Sequence, residues 1–359
     1  MKSVLYSNPF IRKKVVNNFN ETFEKPAVII ANHSSFLDIL SMGMLSPKII
    51  FLVSDWVYNS PIFGGVVRKA GFYPVSEGLE GGVEHLRKKV NEGYSLMVFP
   101  EGTRSENNVI KRFHKGAFFL AEEFNLDIIP IVIHGASELI PKGDFVIHNG
   151  KLTITILERI TPENTSFGKN YAERTKQIST FFKAEYRTIR QELEGADYFK
   201  SMLLHSFDYK EIEVVDSVKK DIKKHLETYF ILGKQFSAKA KLLHLADDYG
   251  QVDVLLALQE PQRKIHSYIV DEEKRDIAKT NYIVGKRKIT YLENLETISE
   301  NQYDAVLISD ENHEKEIQNV ISATSCVILI DCPSLKDAII NLGFHFVLEE
   351  NDLIIFKKN

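Results

Sequence analysis

The stretch Asn32-His33-Ser34-Ser35-Phe36-Leu37-Asp38 decides how the first half of this chain is read. It follows Pro26-Ala27-Val28-Ile29-Ile30-Ala31, an apolar run of the kind that forms a buried strand, and it opens a predicted helix. A carboxylate entering a helix sits well at the positive end of the helix dipole. From there Asp38 can hold His33 in one tautomer and stabilise it once protonated. The chain has no Gly-x-Ser-x-Gly elbow, so His33 reads as a general base for a substrate hydroxyl and not for an enzyme serine. The pair alone also fits a plainer reading, in which a backbone carbonyl satisfies the His and the Asp caps the helix.

A second block raises the weight of the first. Leu96-Met97-Val98-Phe99-Pro100-Glu101-Gly102-Thr103-Arg104-Ser105 again runs from a buried-type strand into a polar turn. Phe113-His114-Lys115-Gly116-Ala117 and Ile128-Ile129-Pro130-Ile131-Val132-Ile133 follow. These four blocks, in this order over roughly residues 25–190, resemble the signature motifs of the glycerol-phosphate and lysophospholipid acyltransferase family. The resemblance implies an O-acyltransferase. His33 and Asp38 would be catalytic, and Glu101, Gly102, Thr103 and Arg104 would bind the acceptor. The plainer role for Glu101 is that of a hydrogen-bond acceptor for the backbone of its own turn.

Gly71-Phe72-Tyr73-Pro74-Val75-Ser76-Glu77-Gly78 stands where that family has a motif ending in a phosphate-binding Arg. Ser76 and Glu77 replace the Arg, and a carboxylate there repels an anionic acceptor. Arg68 and Lys69 are the nearby cations that can compensate. Lys111, Arg112, His114 and Lys115 form the most basic local cluster and suit the phosphates of a coenzyme A or acyl-carrier-protein donor, or else a solvated turn. The aromatic and glycine-rich stretch 54–73 suits an acyl groove, or simply a core.

Composition narrows the alternatives. The 359 residues have length for two domains, and the net charge of −4, with no dense basic cluster bearing aromatics, argues against nucleic acid. The two cysteines, Cys326 and Cys332, make no metal framework and fit a reducing compartment. No apolar run reaches eighteen residues, and the start lacks a signal-peptide core. Residues 1–25 mix Leu5, Tyr6, Phe10 and Ile11 with Arg12, Lys13 and Lys14. They read as a segment lying on an anionic membrane or as a helix packed on its own domain. The expected place is cytoplasmic, peripheral at the inner face of the membrane; either the chain docks there by itself, or its membrane part belongs to another polypeptide or to chain before Met1.

Residues 1–199 hold 24 Lys and Arg against 22 Asp and Glu, and residues 200–359 hold 21 against 27, a shift that supports a boundary near residue 196. The expected domains are 1–196 and 197–359, both α/β. In the second, strands and helices alternate and end in a hairpin turning at Asn351-Asp352. That order resembles a class I S-adenosylmethionine-dependent methyltransferase, with Asp271 near the ribose-binding position and Tyr303-Asp304-Ala305-Val306-Leu307-Ile308 as a later strand. The family's glycine-rich loop is replaced by Ala246-Asp247-Asp248-Tyr249-Gly250, with one glycine and two carboxylates. Close backbone approach to a cofactor needs glycine. The domain is therefore expected to be a degenerate, non-catalytic fold, with no cofactor and an acyl thioester as co-substrate. The two-domain combination resembles the soluble part of bacterial exporter–acyltransferase–methyltransferase fusions of aryl-polyene or flexirubin-type pathways, whose acceptors include phosphate-free hydroxyls. The competing readings are a lipid- or carrier-binding module whose second domain recruits a partner, and an active methyltransferase.

Overall fold

The computed structural model describes residues 11–53, 58–61, 64–69, 72–74, 79–105, 108–140, 149–296, 298 and 302–358. The chain divides into two compact units, Met1–Arg190 and Gln191–Asn359, against an expected division after residue 196.

The first unit is built on a seven-stranded sheet. Its strands are β1 (Ile11–Val16), β2 (Ala27–Ala31), β3 (Ile49–Val53), β4 (Tyr73–Pro74), β5 (Ser95–Val98), β6 (Asp127–His134) and β7 (Gly150–Ile156), in the order β1-β7-β6-β2-β5-β3-β4. Only β6 and β7 pair antiparallel. Ala27-Val28-Ile29-Ile30-Ala31 is wholly buried because a central parallel strand is covered on both faces, which is why it reads as unbroken apolar sequence. Residues 11–16 were expected to lie on a membrane or in a helix. They instead form β1, paired parallel with β7 along its length. Its Arg12, Lys13 and Lys14 are tolerated because an edge strand can leave charged side chains in water.

The register of β2 and β5 sets the site. Val28 pairs with Leu96, Ile29 with Met97 and Ile30 with Val98. Continued past the strand ends, that offset of 68 positions brings His33 level with Glu101. The two motif turns thus emerge side by side at the carboxyl ends of adjacent strands, where open α/β sheets place their ligands.

The second unit has its own seven-stranded sheet. Its strands are β8 (Lys241–Ala246), β9 (Lys264–Ile269), β10 (Lys288–Tyr291), β11 (Ala305–Ile308), β12 (Cys326–Ile330), β13 (His345–Glu350) and β14 (Leu353–Lys357), in the order β10-β9-β8-β11-β12-β14-β13. Five parallel strands end in an antiparallel pair, a doubly wound α/β arrangement in keeping with the expected alternation of strands and helices. Asn351 and Asp352 have φ of 50° and 62°, as a two-residue type I′ turn requires. No helix among the described residues is long and apolar enough to cross a membrane.

Candidate active site

Asp38 organises the first turn. It lies in the first turn of the helix Leu37–Gly43 and is fully buried. Its Oδ2 accepts from Ser34 N at 2.6 Å and Ser35 N at 2.7 Å, and it meets His33 Nδ1 at 2.8 Å. A buried carboxylate needs such donors, and here two of the three come from the chain between His and Asp. The spacing of five residues therefore lets the turn close on the carboxylate. With Asp38 ionised, Nδ1 carries the proton and Nε2 is the basic nitrogen. The imidazole also stacks on Phe99, with centroids 4.1 Å apart and planes 15° from parallel.

The second turn is laced to the first. Glu101 Oε1 accepts from His33 N at 2.9 Å, and Oε2 accepts from Lys111 N at 2.8 Å. Ser105 N donates to His33 O at 2.7 Å. Burial raises the Glu101 pKa, against the two backbone N–H groups that favour its charged form. With both oxygens engaged by backbone, the buried Glu101 holds the turns together and fixes the backbone at His33. This geometry suits the backbone-serving role better than direct acceptor binding.

Gly102 and Thr103 stand exposed at the tip. Gly102 has φ of 70°, and a Cβ there would come within 3.2 Å of the His114 ring. The Arg104 guanidinium lies over Phe36, 4.5 Å from the ring centroid, beside the first motif. Lys111, Arg112, His114 and Lys115 are all exposed around the helix start at Gly116–Glu123.

Arg68 and Lys69 lie exposed at the end of the helix Gly64–Lys69. Arg68 Nη1 donates to Tyr58 O at 2.8 Å, and among the described residues no hydrogen bond or ion pair joins either cation to the His33 cluster. Ser76 and Glu77 lie outside the described residues.

Asn32 is the residue beside the site to which the sequence assigned no role. Its Nδ2 donates to Ile133 O and its Oδ1 accepts from Ile133 N, both at 2.8 Å, tying the end of β2 to β6. Its position directly before His33 is the one local signal. The partner lies 101 positions away and becomes visible only with the β2–β6 pairing.

In the second unit the turn after β8 is built on its own contacts. Gly250 has φ of 84°, and a Cβ there would collide with the Tyr291 hydroxyl and lie 3.0 Å from Ala278 Cβ. Lys274 Nζ binds Asp247 Oδ2 at 2.7 Å. Asp271 caps the helix Glu272–Lys279, its Oδ1 accepting from Lys274 N at 3.0 Å.

The comparisons with known proteins concern mainly the first unit. Residues 11–134 match a family model described as Acyltransferase. A chloroplastic 1-acyl-sn-glycerol-3-phosphate acyltransferase of Arabidopsis thaliana is 30% identical over 142 residues, 37% of this chain and 39% of that one. The 1-acyl-sn-glycerol-3-phosphate acyltransferase of Saccharomyces cerevisiae is 31% identical over 176 residues, 45% and 57% of the two chains. The chain thus spans about 39% to 57% of the length of these curated relatives. Among solved structures, the 1-acyl-sn-glycerophosphate acyltransferase PlsC of Thermotoga maritima matches with a TM-score of 0.44 at 23% identity, covering 50% of this chain and 73% of that one. A precorrin-6y C5,15-methyltransferase of Geobacter metallireducens matches with a TM-score of 0.32 at 12% identity, covering 37% and 89%.

Proposed function

We propose that the first unit is an O-acyltransferase moving an acyl group from a coenzyme A or acyl-carrier-protein thioester to a hydroxyl of a lysophospholipid-like acceptor. The observation that carries the reading is the 2.8 Å contact between His33 Nδ1 and the buried Asp38, which turns the other ring nitrogen into the base. The acceptor hydroxyl gives its proton to His33 Nε2 as its oxygen attacks the thioester carbonyl carbon. The tetrahedral intermediate collapses with loss of the thiolate, which takes the proton back from the imidazolium. Arg104 and the exposed Lys111, Arg112 and Lys115 supply the positive charge that phosphate-bearing substrates need, and an anionic membrane surface is the matching place of work.

The second unit, in this reading, is not a working methyltransferase. The single glycine at its turn is covered by Tyr291, Asp247 is held by Lys274, and Asp271 spends one oxygen on a helix cap. These residues do not fit an adenosyl cofactor in the way the fold implies. A calorimetric titration with S-adenosylmethionine is expected to be flat, and saturable heat overturns this part.

The deciding experiment is acyl transfer by wild type and His33→Ala from labelled acyl-CoA and acyl-carrier protein. Two acceptors separate the substrate classes, a lysophosphatidic acid and a phosphate-free phenol. Transfer that survives His33→Ala overturns the mechanism. Transfer to the phenol alone moves the acceptor into the phosphate-free class of the pigment-type setting.

A further inference from the structure

The second unit carries three side chains that acyl transfer at His33 leaves unused. Alternation along β8 places Leu243 and Leu245 in one hydrophobic cluster and Leu242 and Ala246 in the other, so His244 shares the face that packs on the helix Gln251–Gln259. His244 is fully buried. An imidazole among aliphatic side chains needs partners for both nitrogens, and it has them. Nδ1 meets Asp253 Oδ1 at 2.8 Å, and Nε2 meets Ser309 Oγ at 2.8 Å. Asp253 lies in the first turn of that helix and is itself fully buried. Ser309 is the residue directly after β11 and is half-buried.

The polarity of this chain of bonds follows from the donor inventory. A carboxylate can only accept, so Asp253 fixes the proton on Nδ1. In the neutral imidazole the Nε2 lone pair then faces the Ser309 hydroxyl, as a serine nucleophile requires. The placement is equally specific. In the order β9-β8-β11 the chain leaves β8 toward one side and returns on the other, and the crevice at the carboxyl ends of β8 and β11 is the switch point of the sheet. The Ser309 amide donates to Leu245 O at 3.1 Å, which pins the serine to the end of β8. Tyr291 lies near the buried end of the chain, where burial and the charges of Asp253 and Asp248 raise its phenol well above its usual range.

We propose that Ser309, His244 and Asp253 form a second catalytic site, a serine nucleophile that acts on acyl esters or thioesters. Ser309 Oγ attacks the carbonyl carbon while its proton passes to His244 Nε2. The carbon–oxygen or carbon–sulfur bond breaks, and the departing alcohol or thiol takes that proton. Water then attacks the acyl-serine with His244 again as base, releasing the carboxylic acid and restoring the serine. Asp253 is a positioning residue that holds the imidazole. The site stands on the second unit alone and is independent of the reading of the first.

The test uses the full chain and a fluorophosphonate probe, which bonds to an activated serine oxygen with loss of fluoride. Wild type and His33→Ala are expected to be labelled alike, with the adduct on Ser309 by peptide mass mapping, and Ser309→Ala to be unlabelled. With p-nitrophenyl butyrate, wild type should release a burst of about one equivalent of p-nitrophenol per chain, absent in Ser309→Ala. Asp253→Asn should slow the labelling rate constant by about a hundredfold or more while the half-saturating probe concentration holds, an effect that a purely structural carboxylate does not give. Ser309→Ala, at a half-buried position, keeps the comparison open should His244→Gln or Asp253→Asn melt early. An unlabelled Ser309 in folded wild type, or equal rate constants in wild type and a folded Asp253→Asn, overturns the proposal.

Discussion

Each unit sets a His–Asp pair against a central strand, and in each the imidazole Nδ1 lies 2.8 Å from a fully buried carboxylate. The pairs differ in how they are assembled. Asp38 is five residues from His33 and takes the intervening Ser34 and Ser35 amides, so one turn of chain makes the whole arrangement. Asp253 is nine residues from His244, across a turn, and Ser309 is 65 away on another strand. The His33 side chain keeps 15% of its surface in water, whereas that of His244 keeps none. A site closed within one turn is pre-organised locally and can stay open to a large substrate. A site assembled across strands depends on the packing that also seals it.

Mutations can break or sharpen this contrast. The largest effect is expected from His33→Ala, which should cost about a thousandfold in acyl transfer, in the range for loss of a general base, with little change in thermal midpoint. Asp38→Asn should slow transfer by roughly a hundredfold. It should also cost about 1–3 kcal/mol of stability by denaturant titration, because two backbone amides lose a charged acceptor. A comparable loss of transfer with no loss of stability would mean that the turn does not depend on its carboxylate. The two positive-φ glycines give the next contrast. Gly250→Ala must accept left-handed backbone and displace Tyr291, for about 2–4 kcal/mol. Gly102→Ala meets only the His114 ring at an exposed tip and should cost about 1 kcal/mol. Equal costs would remove the distinction between an open and a sealed turn.

The smallest effect is a pH dependence. Burial raises the Glu101 pKa above its ordinary value of 4.5, so the folded chain holds that proton more tightly than the unfolded one. The stability this contributes is present below pH 4.5 and is lost as pH rises through the raised value. Stability curves of wild type and Glu101→Gln should therefore diverge in favour of Gln across that interval. Parallel curves would show that the two backbone donors fully offset the burial.

What the sequence disclosed follows the same division. The strand Ala27–Ala31, the turn at His33 and the hairpin at Asn351-Asp352 were legible because their causes are local: burial on both faces, one carboxylate, two left-handed residues. The fold class followed from the alternation of such elements. The strand Ile11–Val16 was misread because Arg12, Lys13 and Lys14 hide the pairing that only β7 explains. The helix Ala196–His205 went unrecognised because it falls where the charge balance suggested a boundary. The two hydrogen bonds between Asn32 and Ile133 and the Ser309–His244 contact depend on strand register, which no window of sequence contains.

The shared offset of 68 positions has one more consequence. His33 and Glu101 keep the register of the ladder beneath them, so their separation in space is set by strand pairing and not by the length of chain between them. Residues can be inserted or deleted between the helix Leu37–Gly43 and β5 without moving one motif turn against the other, provided β2 and β5 still pair. That intervening stretch, which contains Ser76 and Glu77, can then be rebuilt while the His33–Asp38 geometry is inherited intact.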